Sequence, residues 1–124
     1  MDSPNPINNE REERITMEII VDANGPQETA MSWYYYLENE LHTPFSARCS
    51  KVRATSPLKL GEEVEVLAMA DESECEHEMF VTIRWKSQKL AVTLAQLNPI
   101  GNIDESTQRG IEDWHYWVEQ GYEF

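Results

Sequence analysis

Apolar positions recur at helical spacing in the first third of the chain. Residues 26–41, PQETAMSWYYYLENEL, place one set of side chains on a common helical face, namely Ala30, Trp33, Tyr34, Leu37 and Leu41. Pro26 suits the first helical position, and Pro44 disfavours continuation of the helix. The pattern therefore predicts a helix over 26–41 that packs on the core, and the run Trp33–Tyr36 must turn at least one tyrosine outward.

The segment before this helix carries two competing patterns. Alternation of Ile15, Met17, Ile19 and Val21 is typical of a strand, whereas the spacing of Ile15 and Ile19 after a charged run also agrees with a helix. We favour a helix for residues 11–23. Residues 1–10, MDSPNPINNE, lack the basic and apolar regions of a signal peptide and are expected to form a disordered tail.

From residue 48 the pattern changes to a period of two. The stretches EEVEVLAMA, EMFVTIRW and KLAVTL alternate as short strands do, with a polar turn between the last two. Residues 105–120, ESTQRGIEDWHYWVEQ, return to helical spacing through Ile111, Trp114 and Val118. We therefore predict an α+β fold in one domain over 11–124, with helical residues 11–42, a small SH3-like β-barrel over 48–100 and a C-terminal helix over 104–119.

The net charge limits the classes of partner. The chain of 124 residues has 23 acidic and 10 basic side chains, which gives a formal charge of −13. Such a surface attracts cations and opposes binding to nucleic acids or to anionic membranes. No apolar stretch approaches the roughly 20 residues of a membrane span. The two cysteines, Cys49 and Cys75, suggest reduced thiols and a cytoplasmic protein.

The acids concentrate in the stretch DESECEHE, residues 71–78. It holds five carboxylates in eight positions, from Asp71, Glu72, Glu74, Glu76 and Glu78. If residues 72–85 form one extended strand, the four glutamates share its outer face and the odd positions face the core. Oxygen ligands of high charge suit Ca²⁺ or Mg²⁺ better than Zn²⁺ or Cu²⁺. The stretch lacks the EF-hand pattern.

Other acids extend this candidate site. Glu38 and Glu40 lie in the last turn of the predicted helix, where free carbonyl groups add negative potential. Glu63 and Glu65 lie on the strand that should pair antiparallel with the one after the acidic stretch. The candidate metal ligands come from the end of this helix and from the acidic stretch, and they are Glu38, Glu40, Asp71, Glu72, Glu74, Glu76 and Glu78.

Two other interpretations of the stretch remain open. A run of charges is most often a solvated loop. Alternatively, Cys75 and His77, with Cys49 and His42, are residue types that bind zinc, although their spacing matches no zinc motif. No nucleophile, nucleotide-binding or metalloprotease motif occurs, so we expect no enzyme activity.

Four segments resemble a known family. MSWYYYLENELHTPFSARC, LKLGEEVEVLAMA, ECEHEMFVTIRW and LAVTLAQLNPI are similar to the calcium-binding family typified by CcbP of cyanobacteria, and the resemblance spans about residues 14–118. It implies Ca²⁺ binding by surface carboxylates without EF-hands, and it does not fix the ligands. Asn39, Ser32 and Thr93 depart from the family pattern: Asn39 removes a charge from the candidate site, and the other two should affect only the backbone.

The leading hypothesis is a monomeric cytoplasmic protein that binds calcium for buffering or signalling and has no nucleic-acid or membrane partner. The alternative is an SH3-like module for protein–protein contact, whose acids serve solubility or imitate nucleic-acid phosphates.

Overall fold

The computed structural model describes residues 7–124, which fold into an antiparallel sheet and three α-helices. The helices are α1 (Asn9–Arg14), α2 (Pro26–Glu40) and α3 (Glu105–Glu119). The strands are β1 (Phe45–Cys49), β2 (Glu63–Met69), β3 (Phe80–Trp85), β4 (Gln88–Thr93) and β5 (Leu97–Pro99). None of the helices in these residues combines the length and the apolar composition that a membrane span requires.

The sheet is open, with strand order β4-β3-β2-β1-β5. All four strand pairs are antiparallel. The α+β class predicted from the sequence is confirmed, but the closed SH3-like barrel is not what the structure shows, since the edge strands β4 and β5 do not pair. A 3₁₀ turn, Leu94–Gln96, separates them, and β5 is only three residues long and ends at a proline, which lacks an N–H for pairing.

Two hairpins follow the alternation seen in the sequence. β2 pairs with β3, and β3 pairs with β4 through a turn in which Lys86 and Ser87 both have positive φ, at 49° and 65°. Such dihedrals match the right-handed twist of paired strands. At the end of β4, the buried hydroxyl of Thr93 donates a hydrogen bond to the side-chain oxygen of Gln96 at 3.1 Å. The expectation that Thr93 affects only the backbone is therefore too narrow, because its side chain forms a buried contact.

The N-terminal segment is helical as far as Ile19, so the helix favoured for residues 11–23 is found except over 20–23, which form a turn. Asn8 caps α1 by accepting a hydrogen bond from the Arg11 amide at 3.0 Å, and a π-helical turn, Ile15–Ile19, continues it. Helix therefore begins within the segment expected to be a disordered tail. Residues 1–6 of that tail lie outside the described residues.

Aromatic packing joins α2 to α3 in the core. Trp33 is fully buried, and its ring centroid lies 5.1 Å from that of Trp114 and 5.5 Å from that of Trp117. Gly110 lets the helices approach closely, because a Cβ there would lie 3.2 Å from the Cβ of Glu40 and 3.3 Å from Leu41 Cδ2. The last turn of α2 is thereby fixed against α3.

A buried ion-pair network attaches α1 to this helical pair. Asp113 of α3 has no exposed surface, and its two carboxylate oxygens accept hydrogen bonds from Arg14 at 2.6 and 2.7 Å. Arg11 lies 3.2 Å from the same carboxylate, and the Tyr36 hydroxyl donates to it. The pKa of Arg14 is raised, chiefly by its hydrogen bond to Asp113. The network satisfies a charge that would be costly to bury alone.

Candidate functional site

The acidic stretch is a compact turn and not the extended strand predicted from its alternation. Asp71 is extended, Glu72–Cys75 form a 3₁₀ turn, and β3 begins only at Phe80. Cys75 is fully buried, and its sulfur accepts a hydrogen bond from the Phe80 amide at 3.3 Å. Glu72, Glu74 and Glu76 are exposed around this buried cysteine, and since they do not lie on one extended strand they do not share the outer face predicted from the alternation.

The thiol of Cys75 anchors the turn and shows no sign of reactivity. Burial raises its pKa, and the charges of Glu74 and Asp71 raise it further. Cys49 is also free and buried, in β1, whereas His42 is exposed and lies 3.0 Å from Asp104. Across residues 7–124, no three His, Cys, Asp or Glu side chains are arranged to hold a metal ion. The four candidate zinc ligands are therefore not brought together.

Two tyrosines of α2 connect the helix to the acidic turn. Tyr34 is buried, and its hydroxyl donates to the carbonyl oxygen of Ala70 at 2.9 Å. Tyr35 is half exposed, and its hydroxyl donates to the carboxylate of Glu72. Glu38 follows one turn later on the same helix. The aromatic run, predicted as core with one tyrosine at the rim, therefore also positions the carboxylates.

The tyrosine pKa values show which acids share this neighbourhood. Burial raises the pKa of Tyr34 to about 12, and the negative charges of Glu38, Glu72 and Asp71 act in the same direction. The pKa of Tyr35 is raised first by its hydrogen bond to Glu72. We name Glu38, Asp71 and Glu72 the Glu72 cluster. All three side chains are exposed, and the described part of the chain contains no ion pair to any of them.

Two other predicted ligands are already paired with arginines. Glu40 is 14% exposed at its side chain and accepts a hydrogen bond from Arg109 of α3 at 2.8 Å. Both terminal nitrogens of Arg53 donate to Glu78, one to each carboxylate oxygen. Bidentate pairing of this kind satisfies the carboxylate geometrically and electrostatically. Glu40 and Glu78 are therefore structural ion pairs, a role that the sequence pattern did not reveal.

The remaining predicted acids are placed differently. Glu74 and Glu76 are exposed on and beside the 3₁₀ turn.

Glu63 and Glu65 do not approach the turn, because they lie toward the opposite end of β2. Glu63 pairs with Arg48 at 2.8 Å, and Glu65 pairs with Arg84 at 3.2 Å, each across neighbouring strands. Each of these two acids therefore has an arginine partner away from the acidic stretch, which residue spacing did not reveal because it does not show which cross-strand partner an acid meets. Asn39 donates to Glu40 and leaves the Glu72 cluster intact.

Comparisons with known proteins give a consistent result. A family model named for CcbP and described as calcium binding matches residues 13–118. The crystal structure of CcbP from Anabaena is similar, with 36% identity and a TM-score of 0.86, covering 99% of this chain and 100% of that one. A calcium-binding protein solved in its calcium-binding form shows 41% identity and a TM-score of 0.81, covering 94% and 95% of the two chains. No curated protein matches significantly.

Proposed function

Because the chain belongs to the CcbP family of calcium-binding proteins, we propose that it binds Ca²⁺ through the Glu72 cluster, with Glu74 and Glu76 as additional ligands. One observation carries this proposal: Tyr34 and Tyr35 hold the acidic turn beside α2, so that carboxylates from two separate elements act on the same pair of tyrosines. The family is one of calcium-binding proteins rather than of enzymes.

The donor set agrees with the chemistry of calcium. Ca²⁺ takes 6–8 oxygen ligands, tolerates irregular geometry and accepts water where the protein supplies too few. Exposed glutamates and an aspartate provide such oxygens and no nitrogen or sulfur. Since the described residues contain no preformed cage, the ion must draw flexible carboxylates together. The protein's contribution is to hold their backbones close and to keep arginine and lysine away from them.

The biological setting is part of the proposal. We infer a monomeric protein that buffers calcium in the cytoplasm. Both cysteines are free and buried, which supports a reducing compartment. The excess of acidic residues supports buffering, because exposed carboxylates attract divalent cations over a wide surface.

Calorimetric titration with calcium, in the presence of magnesium, tests the assignment. Glu38→Gln and Glu72→Gln each remove one free carboxylate of the cluster, and we expect each to weaken calcium binding about tenfold, or about 1.4 kcal/mol. Glu40→Gln and Glu78→Gln are matched controls, since they change the net charge equally but alter carboxylates that already bind arginine. These controls should retain the parent affinity.

The pattern across the four variants decides the outcome. If all four weaken binding equally, calcium responds to net charge and not to the cluster. If Glu40→Gln or Glu78→Gln alone weakens it, the ligands lie at the arginine-paired acids and the assignment is wrong. Melting curves establish that each variant is folded before its titration is interpreted.

A further inference from the structure

One stripe of α2 separates two open cavities on the molecular surface. Gln27, Met31 and Tyr35 are spaced four residues apart and therefore lie along one side of the helix. A cavity of about 600 Å³ opens on one side of the stripe and one of about 530 Å³ on the other, and Gln27 and Met31 line both. We call the stripe and its two cavities the Met31 groove.

The floor of the groove is apolar. Ala30 is buried beneath the larger cavity, while Pro26, Met31 and Phe124 present carbon surface to it. Tyr35 is 52% exposed and lines the smaller cavity. Methionine adapts its shape to different partners, and tyrosine is enriched in protein interfaces. The floor therefore has the composition of a contact surface.

The rim of the groove carries one sign of charge. Asp22 and Glu28 border the smaller cavity, and Glu72 and Glu76 border the larger one. No lysine or arginine lines either cavity in the part of the chain that the structure describes; the nearest approach to a cation is His77. A cationic partner with an apolar face complements both the floor and the rim, whereas an acidic or neutral partner does not.

We propose that the Met31 groove binds a basic amphipathic helix of a partner protein, and that calcium at the Glu72 cluster weakens this binding. Apolar side chains of the helix enter the cavities on either side of Met31, and its lysine or arginine side chains pair with the rim. The calcium dependence rests on the proposed function, because Glu72 belongs both to the cluster and to the rim. Two cations that share a carboxylate oppose each other, and the coupling is reciprocal.

A synthetic amphipathic helix built only of leucine and lysine is the probe for the groove. Its binding is measured by fluorescence anisotropy in chelator at physiological salt. A peptide of the same composition, reordered so that it has no apolar face, controls for attraction by the net charge of −13. We expect saturable binding of the amphipathic peptide and at least tenfold weaker binding of the reordered one. Equal binding of the two peptides overturns the proposal.

Paired variants locate the contact. Met31→Gln should weaken binding of the amphipathic peptide about tenfold, equivalent to about 1.4 kcal/mol, whereas Leu60→Gln makes the same kind of change at a side chain that is 69% exposed outside the groove. Gln27→Lys adds a repelling charge to the stripe, and Gln88→Lys adds the same charge at the exposed first residue of β4. Met31 is only partly exposed, so Met31→Gln could fail to fold. In that case the comparison of Gln27→Lys with Gln88→Lys tests whether the peptide binds in the groove. Equal affinities within that pair overturn the groove assignment.

Calcium is added last, with parent protein and Glu72→Gln in parallel. We expect calcium to weaken peptide binding to the parent at least threefold and to have a smaller effect on Glu72→Gln. Titration of calcium without peptide tests the proposed function separately. If calcium binds and the peptide affinity does not change, the antagonism is wrong while the groove stands. If calcium does not bind, the proposed function fails and the groove is judged on the chelator experiments alone.

Discussion

At the scale of single residues, the bonding partner of each carboxylate separates the Glu72 cluster from Glu40 and Glu78, the two predicted ligands that are paired with arginine. The Tyr35 hydroxyl donates to Glu72, and Tyr34 fixes the backbone next to the turn through Ala70. Glu40 and Glu78 carry the same charge but already form ion pairs with arginines. Availability of a carboxylate is therefore decided by its partner and not by the local density of acids.

The contact between Tyr35 and Glu72 can be tested by titration. Replacing Glu72 with glutamine removes a negative acceptor, and since that hydrogen bond is the first cause of the raised pKa of Tyr35, we expect the pKa to fall. Ultraviolet difference spectra against a Tyr35→Phe reference isolate this phenol. Glu40→Gln should leave the Tyr35 titration unchanged, and a similar shift in that control would show that only net charge is involved.

At the scale of elements, the sequence predicts the helices and strands whose apolar positions recur at a regular spacing. Helix α2 was expected over 26–41 and is found over Pro26–Glu40, and the antiparallel pairing of β2 with β3 follows from their alternation. The acidic turn imitates a strand because Cys75 is buried between the exposed Glu74 and Glu76, and Met79 is buried further along. A 3₁₀ turn buries Cys75 equally well, and residue spacing alone does not separate the two.

The ion pairs between residues far apart in the sequence could not be predicted from any local sequence pattern. Arg14 meets Asp113 across 99 positions, and Arg109 meets Glu40 across 69. Each pair exists because α1 and α2 pack on α3, which is a consequence of tertiary structure. The sequence therefore offered a set of candidate carboxylates, but it did not show which of them the fold pairs with arginine.

Removal of Arg14 tests how much the buried network contributes to stability. In Arg14→Met the carboxylate of Asp113 remains buried with only Arg11 and Tyr36 as partners, and we expect the free energy of unfolding to fall by about 3 kcal/mol. Arg48→Met breaks the exposed pair with Glu63 and should cost less than about 1 kcal/mol. Urea denaturation measures both values, and equal losses would contradict a special role for the network.

At the scale of the whole molecule, a charge of −13 opposes the compact state, because like charges are brought closer together by folding. In the described residues, eight ion pairs formed by arginine or lysine relieve part of this repulsion. The Glu72 cluster is left without such relief. Unpaired carboxylates that serve for binding therefore lower the stability of the folded state when no cation is present. Bound calcium should raise that stability again.

Calcium is accordingly expected to raise the melting temperature. A ligand that binds only the folded state adds RT ln(1 + [L]/Kd) to the free energy of unfolding, which is about 2.7 kcal/mol at a concentration of 100 Kd. Melting is compared in calcium and in chelator, with sodium chloride adjusted to equal ionic strength so that general screening is the same. Because the cluster is exposed, part of the attraction to calcium is screened over a Debye length of about 8 Å at physiological salt, and the gain should shrink as salt is added. Glu72→Gln should melt higher than the parent in chelator, since one repelling charge is gone, and should gain less from calcium. A variant that gains as much as the parent would place the stabilising ion elsewhere on the acidic surface.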